Sequence, residues 1–139
     1  MVKATAPIND VQHVPYSDEL PRDPQGRLLR LDFSMAGLPY SLVTVYAPAS
    51  DEQAARAAFF NGPLRAALPE GRRILLGGDF NCVLEPADRS GGTSRSGGSE
   101  ALAAVLDEHG LVDVWRVRHP GACGTRHISR NSSTQPQTP

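Results

Sequence analysis

A carboxylate and a carboxamide lie two residues apart, directly after a short apolar run. Residues 74–76 are Ile-Leu-Leu, and residues 77–81 are Gly-Gly-Asp-Phe-Asn. Alternate side chains of an extended backbone share a face, so we expect Asp79 and Asn81 on one side and Phe80 in the core. The carboxylate can take a proton from water or help to hold a divalent metal ion, and the carboxamide can hydrogen-bond a phosphate oxygen. This pattern suits hydrolysis of a phosphate ester.

The same five residues also fit a purely structural turn. Asp and Asn side chains often hydrogen-bond nearby backbone groups and so stabilise tight turns. Gly77 and Gly78 leave the backbone bare enough for a ligand to approach closely, but glycines are common in turns as well. The motif alone leaves the catalytic and the structural interpretations open.

A tyrosine, Tyr46, ends another apolar run just before Ala47 and Pro48. Its phenol could donate a hydrogen bond to a phosphate. The alternative is a half-buried aromatic side chain with its hydroxyl at the rim, since tyrosine combines an apolar ring with a polar tip. Taken alone, this position favours the second interpretation.

Three short runs predict the strands that carry these residues. Residues 29–33 alternate apolar and charged side chains, and residues 40–46 are rich in β-branched and aromatic residues. With Gly37 in the short break between them, the two runs predict a hairpin. Residues 74–76 predict a buried strand that ends at the polar rim of a sheet.

Helices are predicted between and after these strands. Ser50 and Gln53 form a capping box that begins a helix reaching about residue 60. Gly62-Pro63 interrupts it, and residues 64–68 are long enough for a further turn. A second helix begins at Ser99 and ends at Gly110.

The remaining segments complete a mixed α/β order. Residues 89–98 are a Gly/Ser-rich loop, and residues 111–117 predict a further strand. Residues 1–25, with four prolines, predict an irregular lead-in, and residues 129–139 predict a disordered tail. Residues 26–128 then form the domain, a sheet covered on at least one face by helices.

Composition narrows the class of protein. The chain has 139 residues and a net charge of −1, which gives no global electrostatic argument for nucleic-acid binding. No apolar stretch approaches the roughly 18 residues of a membrane span, and residues 1–10 lack the apolar core of a signal peptide. Cys82 and Cys123 are too few for a disulfide framework, which predicts an intracellular, reduced chain without a membrane partner.

Several motifs in sequence resemble one known family. Tyr46-Ala47-Pro48 is followed by an Ala-rich helix, by LLGGDFNCVLEPADR at residues 75–89, and by LVDVWRVRHP at residues 111–120. This order, over residues 26–125, is similar to the endonuclease/exonuclease/phosphatase superfamily. The nearest likeness is to the apurinic/apyrimidinic-endonuclease-like domain that precedes the reverse transcriptase of LINE-type retrotransposons.

The resemblance implies a fold, a reaction and a cellular setting. The fold expected is part of a four-layered α/β sandwich, in which two mixed sheets are flanked by helices. The reaction expected is Mg²⁺-dependent cleavage of a DNA phosphodiester. A parent protein of this kind would also carry a reverse transcriptase domain and act in the nucleus.

The resemblance also assigns roles to particular residues. Asp79 matches the aspartate that orients or deprotonates the attacking water, Asn81 the asparagine that contacts the scissile phosphate, and Tyr46 the tyrosine that hydrogen-bonds it. Asp79 and Asn81 are accordingly the candidate metal ligands. Asp88 matches a loop-structuring position, and residues 113–115, which include Trp115, match a strand packed under the site.

Parts of the family pattern are missing from this sequence. Ala49 stands where many members have an asparagine, and residues 1–27 supply neither the asparagine-bearing strand nor the metal-binding glutamate. The Arg-x-Asp strand and the Ser-Asp-His motif are also absent, so we expect a fragment of the domain. His109, His119 and His127 are interpreted as surface, loop or strand-exit residues, and Cys82 as a packing residue.

We therefore expect a Mg²⁺-dependent phosphodiesterase or endonuclease domain of retroelement origin, with water attacking a DNA phosphodiester. One alternative is a truncated, catalytically inactive remnant with at most a structural or nucleic-acid-contacting role. Another alternative is a small-molecule phosphoesterase of the same fold.

Overall fold

One mixed four-stranded sheet organises the chain. The structure, a computed structural model, describes residues 7–17, 25–49, 52–84 and 99–120. The strands are β1 (Ile8–His13), β2 (Leu28–Met35), β3 (Leu38–Tyr46) and β4 (Arg73–Asp79), and they follow one another in the order β1-β2-β3-β4. β1, β2 and β3 are antiparallel neighbours, whereas β4 runs parallel to β3.

The β2–β3 hairpin predicted from the sequence is confirmed. Met35 pairs with Leu38, so the loop contains only two residues. Both of them, Ala36 at φ 53° and Gly37 at φ 76°, have the left-handed backbone that a two-residue hairpin loop requires.

Helical chain fills the crossover from β3 to β4. α1 (Gln53–Phe59) continues into a π-helical segment (Phe60–Leu64) and a short α2 (Arg65–Ala67). The predicted interruption at Gly62-Pro63 is thus a wider helical turn rather than a break, because proline has no N–H to give to a regular α-helical bond. Ser50, the predicted cap, lies outside the described residues, and α1 begins after Glu52 without a side-chain cap.

Two further helices follow β4, and their docking completes the core. α3 (Ser99–Glu108) packs against the π-helical segment and α1, and α4 (Val114–Arg118) comes after it. Buried apolar side chains of β2, β3, α1, α3 and the π-helical segment form one cluster, which includes Leu28, Val43, Val45, Phe59, Phe60, Leu64, Leu102 and Val105.

The opposite face of the sheet carries apolar side chains that no described helix covers. The register places Leu29, Leu31 and Phe33 of β2 on this face, beside Leu42 of β3 and Leu75 of β4. Leu75 is 47% exposed. The described residues therefore confirm an α/β fold with one sheet, and the second sheet of the expected sandwich stays a prediction.

Two predictions of secondary structure were wrong. Residues 8–13 form β1 rather than irregular chain, because Pro7 and Pro15 flank the strand and the edge of β2 offers it partners. Residues 114–118 form α4 rather than a strand, because the Asp113 carboxylate accepts a hydrogen bond from the N–H of Arg116 at 3.0 Å and caps a helical turn.

A half-buried polar cluster links three strands at the start of β4. Asp32 accepts hydrogen bonds from Arg30 at 2.9 Å and from the Ser41 hydroxyl at 2.7 Å, and Arg72 lies 3.4 Å from it. Arg72 also donates to the carbonyl of Tyr40 at 2.8 Å. The cluster ties the entry of β4 to the β2–β3 hairpin.

The charge of Asp32 makes stability depend on acid pH. Burial raises the pKa of Asp32, but hydrogen bonds from Arg30 and Ser41 and the charges of Arg30 and Arg72 outweigh it and bring the pKa below its ordinary value of 3.8. The folded pKa thus lies below the unfolded one. The stabilisation is present above the unfolded pKa and is lost as the pH falls through the folded pKa.

We predict that Asp32→Asn lowers the free energy of unfolding at pH 7 by about 1–2 kcal/mol, through loss of charge-assisted hydrogen bonds. Urea unfolding followed by circular dichroism from pH 7 to pH 2 measures the effect. The difference between wild type and variant should shrink below about pH 4. A difference that stays constant over this range would contradict the assignment.

Candidate functional site

The ends of β3 and β4 bring two predicted site residues together. Tyr46 and Asp79 are register partners in the parallel ladder. The N–H of Ala47 donates to the carbonyl of Asp79 at 2.8 Å, so the two strand ends stay paired as far as the site. Partners in a ladder share a face, so the phenol and the carboxylate project from the same side of the sheet. This is the face that no described helix covers.

The two carboxylate oxygens of Asp79 differ in their hydrogen bonding. One oxygen, Oδ1, accepts a hydrogen bond from the backbone N–H of Asn81 at 3.0 Å. Within the described residues, the second oxygen has no hydrogen-bond partner. One acceptor oxygen therefore remains available for water, for a cation or for a ligand.

Asn81 has a structural role in the turn that follows β4. Its backbone is left-handed, with φ 49°, a conformation that asparagine tolerates better than most residues. Its side-chain amide nitrogen donates to the carbonyl of Ala47 at 2.8 Å. The turn interpretation of this residue is therefore present in the structure, and the amide oxygen is the group of Asn81 left for a ligand.

Gly78 allows β4 to lie close enough to β3 for this pairing. Its φ is 136°, and a Cβ placed there would lie 2.0 Å from the carbonyl oxygen of Val45. That atom belongs to the backbone and cannot turn aside. A Cβ at Gly77 would meet no atom within 4 Å. Glycine is therefore required at position 78, where a side chain would collide with β3, but not at position 77, where a side chain would have space.

A buried arginine holds the turn after Tyr46. Arg56 of α1 is 1% exposed, and its guanidinium donates to the carbonyls of Pro48, at 3.1 Å, and of Ala49. Sequence analysis did not single out this residue. The available signal was its spacing, because Arg56 precedes Phe59 and Phe60 by three and four residues and so shares their buried helix face.

Arg27 brings a positive charge to the exposed tyrosine. Its guanidinium carbon lies 6.0 Å from the centre of the Tyr46 ring, and its carbonyl accepts a hydrogen bond from the N–H of Tyr46 at 2.8 Å. Glu52 lies 4.0 Å from the same guanidinium. Tyr46 is 59% exposed, so its phenol is open to a ligand. Sequence analysis missed Arg27, whose position depends on the pairing of β2 with β3.

Cys82 is a packing residue, as expected. Burial raises the pKa of its thiol; the charge of Arg56 lowers it, and the charge of Asp79 raises it, so the net direction is upward. Its side chain packs on the hydrophobic core. A raised pKa keeps the thiol protonated at neutral pH, which argues against a nucleophilic role.

The other predicted residues do not join the site. Residues 113–115 belong to the cap and first turn of α4, not to a strand beneath the site. The side chain of Trp115 is 51% exposed, and its ring stacks on that of His119 with ring centres 3.9 Å apart. His109 follows α3. Asp88, His127, Cys123 and the loop at 89–98 lie outside the described residues.

Few side chains at the site could bind a metal ion. Among residues 7–17, 25–49, 52–84 and 99–120, no group of three or more His, Cys, Asp or Glu side chains is placed to hold a metal ion. A groove of about 560 Å³ is lined mostly by apolar residues of β4, α3 and the chain at 111–115, and it does not include Asp79. Asp79 thus lies at an open strand end rather than in an enclosed pocket.

Comparison with known proteins gives one clear likeness. The chain is 34% identical over 97 residues to the transposon TX1 uncharacterized 149 kDa protein of Xenopus laevis. The match covers 68% of this chain and 7% of that protein, so the chain spans only a small part of its relative. No protein-family profile matches the chain. No helix in the described part of the chain is long and apolar enough to cross a membrane.

We predict that Gly78→Ala lowers the free energy of unfolding by at least about 2 kcal/mol, since it forces β4 away from β3 and strains a left-handed backbone. The matched control is Gly77→Ala, whose added methyl group meets open space and should change stability by less than about 1 kcal/mol. Urea unfolding of both variants measures the difference. Equal effects at the two positions would show that the contact with Val45 is unimportant.

We also predict that Arg56→Leu lowers the free energy of unfolding by about 2–3 kcal/mol, because two carbonyls of the turn lose their donor in a buried setting. Arg118→Leu, on exposed α4, is the control and should change stability by about 0.5 kcal/mol or less. The measurement is urea unfolding followed by fluorescence. A variant at position 56 as stable as wild type would contradict the role assigned to the guanidinium.

Proposed function

We propose that this chain is a retroelement-derived domain of the endonuclease/exonuclease/phosphatase type that hydrolyses DNA phosphodiesters with Mg²⁺. The observation that carries the proposal is the pairing of Tyr46 with Asp79 at the ends of β3 and β4. The 34% identity to a transposon protein supports the proposed origin.

The described side chains suggest a division of labour at the strand ends. The oxygen of Asp79 that has no partner within the described part of the chain would accept a hydrogen bond from the attacking water and draw its proton away. The phenol of Tyr46 would donate to a phosphate oxygen. Arg27, 6.0 Å from the ring of Tyr46, would add a positive charge near the phosphate.

The residues present offer the smallest donor set with which Mg²⁺ is held. Mg²⁺ binds through one or two carboxylates and takes its other ligands from water and substrate phosphate. Asp79 supplies one carboxylate oxygen, and the amide oxygen of Asn81 is the second candidate donor. When bound, the ion would polarise the phosphoryl oxygen and lower the pKa of a bound water.

The openness of the site favours a polymer over a small phosphoester. The two well-formed grooves of the described residues, of about 560 and 310 Å³, do not include Asp79, and Tyr46 is mostly exposed. An extended DNA backbone can lie across an exposed strand end. A small phosphoester gains its affinity from an enclosing pocket.

A parent protein with a reverse transcriptase domain, acting in the nucleus, belongs to the same proposal. The chain matches only 7% of a 149 kDa transposon protein, which leaves most of that relative outside the likeness. The proposed domain would then be one part of a longer protein that also carries the reverse transcriptase.

One observation favours the second candidate function, an inactive remnant. Among the described residues, no group of three or more His, Cys, Asp or Glu side chains is placed to hold a metal ion, so metal affinity and activation of water would both be weak. A remnant would keep the phosphate-contacting groups Tyr46 and Arg27 and bind nucleic acid without cutting it.

A plasmid-nicking assay with purified chain separates these functions. We predict Mg²⁺-dependent relaxation of supercoiled plasmid, and a rate lower by about 10²–10⁴-fold in Asp79→Asn, because the variant cannot accept the proton of water. Asp107→Asn, a matched change on the exposed surface of α3, should leave the rate unchanged.

The outcomes point to different functions. Nicking equal in wild type and Asp79→Asn, together with fluorescence-anisotropy binding that weakens in Tyr46→Phe and Arg27→Ala, would support the remnant. Faster hydrolysis of bis(p-nitrophenyl) phosphate than of plasmid would support a small-molecule phosphoesterase.

A further inference from the structure

Two strands, β1 and β4, lie at the edges of the described sheet. The edge of β4 is the regular one, because the pairing of β1 shifts register between Asn9 and Gln12. β4 is last in the strand order, so among the strands that the structure describes only β3 pairs with it. The carbonyl of Asp79 points to β3, where it accepts from Ala47. Backbone groups of successive residues point to opposite edges of a strand, so those of Ile74, Leu76 and Gly78 point outward. Such a row of groups is a template for another strand.

This edge lacks the features that usually prevent pairing. β4 contains no proline or lysine, and its interior residues carry no charge. Leu75 is half exposed on one face. A groove of about 560 Å³ runs beside the strand, with Leu102 and Leu106 of α3 and the chain at 111–115 in its walls. The edge is therefore apolar, open and flanked by apolar surface.

The sequence of β4 is complementary to itself when read in the opposite direction. Arg73 begins the strand and Asp79 ends it, and both lie on the uncovered face. In an antiparallel pair centred on Leu76, Arg73 of each copy lies opposite Asp79 of the other. Opposite charges in such cross-strand positions stabilise the pair.

The same register matches large side chains with small ones. It sets Leu75 opposite Gly77, where an added Cβ would meet no atom within 4 Å. It also sets Ile74 opposite Gly78 and makes every outward backbone group part of a hydrogen-bonded pair. If the antiparallel pair were centred on Leu75 instead, Arg73 would lie opposite Gly77, and if it were centred on Gly77, Arg73 would lie opposite Asn81. Neither of these registers pairs Arg73 with Asp79.

We infer that two copies of this chain associate through β4, antiparallel and centred on Leu76, to form one continuous eight-stranded sheet from two four-stranded ones. The inference stands apart from the proposed hydrolysis. In the paired form a guanidinium faces the carboxylate of Asp79, so the hydrolytic form would be the monomer. Association is measured without DNA or metal, and its failure leaves the proposed function untouched.

Charge reversal tests the register. Analytical ultracentrifugation over a concentration series should show a monomer–dimer equilibrium for wild type. Arg73→Asp and Asp79→Arg each create like-charge pairs and should raise the dissociation constant at least about tenfold. The double variant restores opposite charges and should return to within about threefold of wild type.

The control for charge reversal is Glu70→Arg, which makes the same change of charge as Asp79→Arg but in the exposed turn before β4. It should leave the dissociation constant within about threefold of wild type. A wild-type monomer at every concentration would overturn the inference. A dimer unaffected by the single reversals, or one not restored in the double variant, would overturn it as well.

Cross-linking tests the centre of the pair. In a Cys82→Ala, Cys123→Ala background, Leu76→Cys should form a disulfide-linked dimer on mild oxidation, because a hydrogen-bonded antiparallel pair sets Cα atoms about 5.5 Å apart, as a disulfide needs. Ile74→Cys is the matched control. Ile74, like Leu76, is partly buried against the core. In the proposed pair, a cysteine at position 74 would face Gly78, so the Ile74→Cys protein should stay monomeric on a non-reducing gel.

Efficient cross-linking at position 74, or equal cross-linking at both positions, would contradict a pair centred on Leu76. Far-ultraviolet circular dichroism establishes that each variant is folded. If Leu76→Cys does not fold, the charge-reversal series, which changes only strand-end residues, decides the question.

Discussion

The close parallel contact between β3 and β4 is the constraint on which the candidate site depends. Only a residue without a Cβ fits where Gly78 passes the carbonyl of Val45. Because the strands approach this closely, Asp79 lies beside Tyr46 and its carbonyl reaches the N–H of Ala47. The site thus follows from backbone packing, and the chemically active side chains add little to holding it in place.

The turns beyond the strand ends are held by polar groups rather than by apolar packing. Arg56 donates to the carbonyls that follow Ala47, and Asn81 donates to the carbonyl of Ala47 itself. These bonds lie in or near the core, where an unsatisfied carbonyl is costly. One consequence bears on chemistry: Asn81 cannot give the same amide hydrogen to a phosphate while it holds the turn. In this arrangement, the groups open to a ligand are one oxygen of Asp79, the amide oxygen of Asn81 and the phenol of Tyr46.

The uncovered face and edge of the sheet share one physical cause. α1, the π-helical segment and α3 share the core on the face where Val43 and Val45 are buried, and Leu75 on the other face is 47% exposed. Apolar surface and outward backbone groups together favour association with another strand. The proposed hydrolysis and the proposed self-pairing both use this region, and both require Asp79. They are therefore alternative states of one surface.

The local sequence was sufficient to predict the β2–β3 hairpin, the helix after Ser99 and the strand that ends at Asp79, because alternation, caps and glycines act over a few residues. It could not distinguish strand from helix at residues 111–117, where the pattern fits both until Asp113 caps a turn. It also could not predict β1, which exists because β2 offers a free edge.

The sequence by itself identified which residue types could form the site. Only the tertiary structure brings Tyr46 and Asp79 together. They are far apart in the chain and become neighbours when β4 packs against β3. The roles of Arg27 and Arg56 were decided there too, because a charge acts on whatever the fold places beside it.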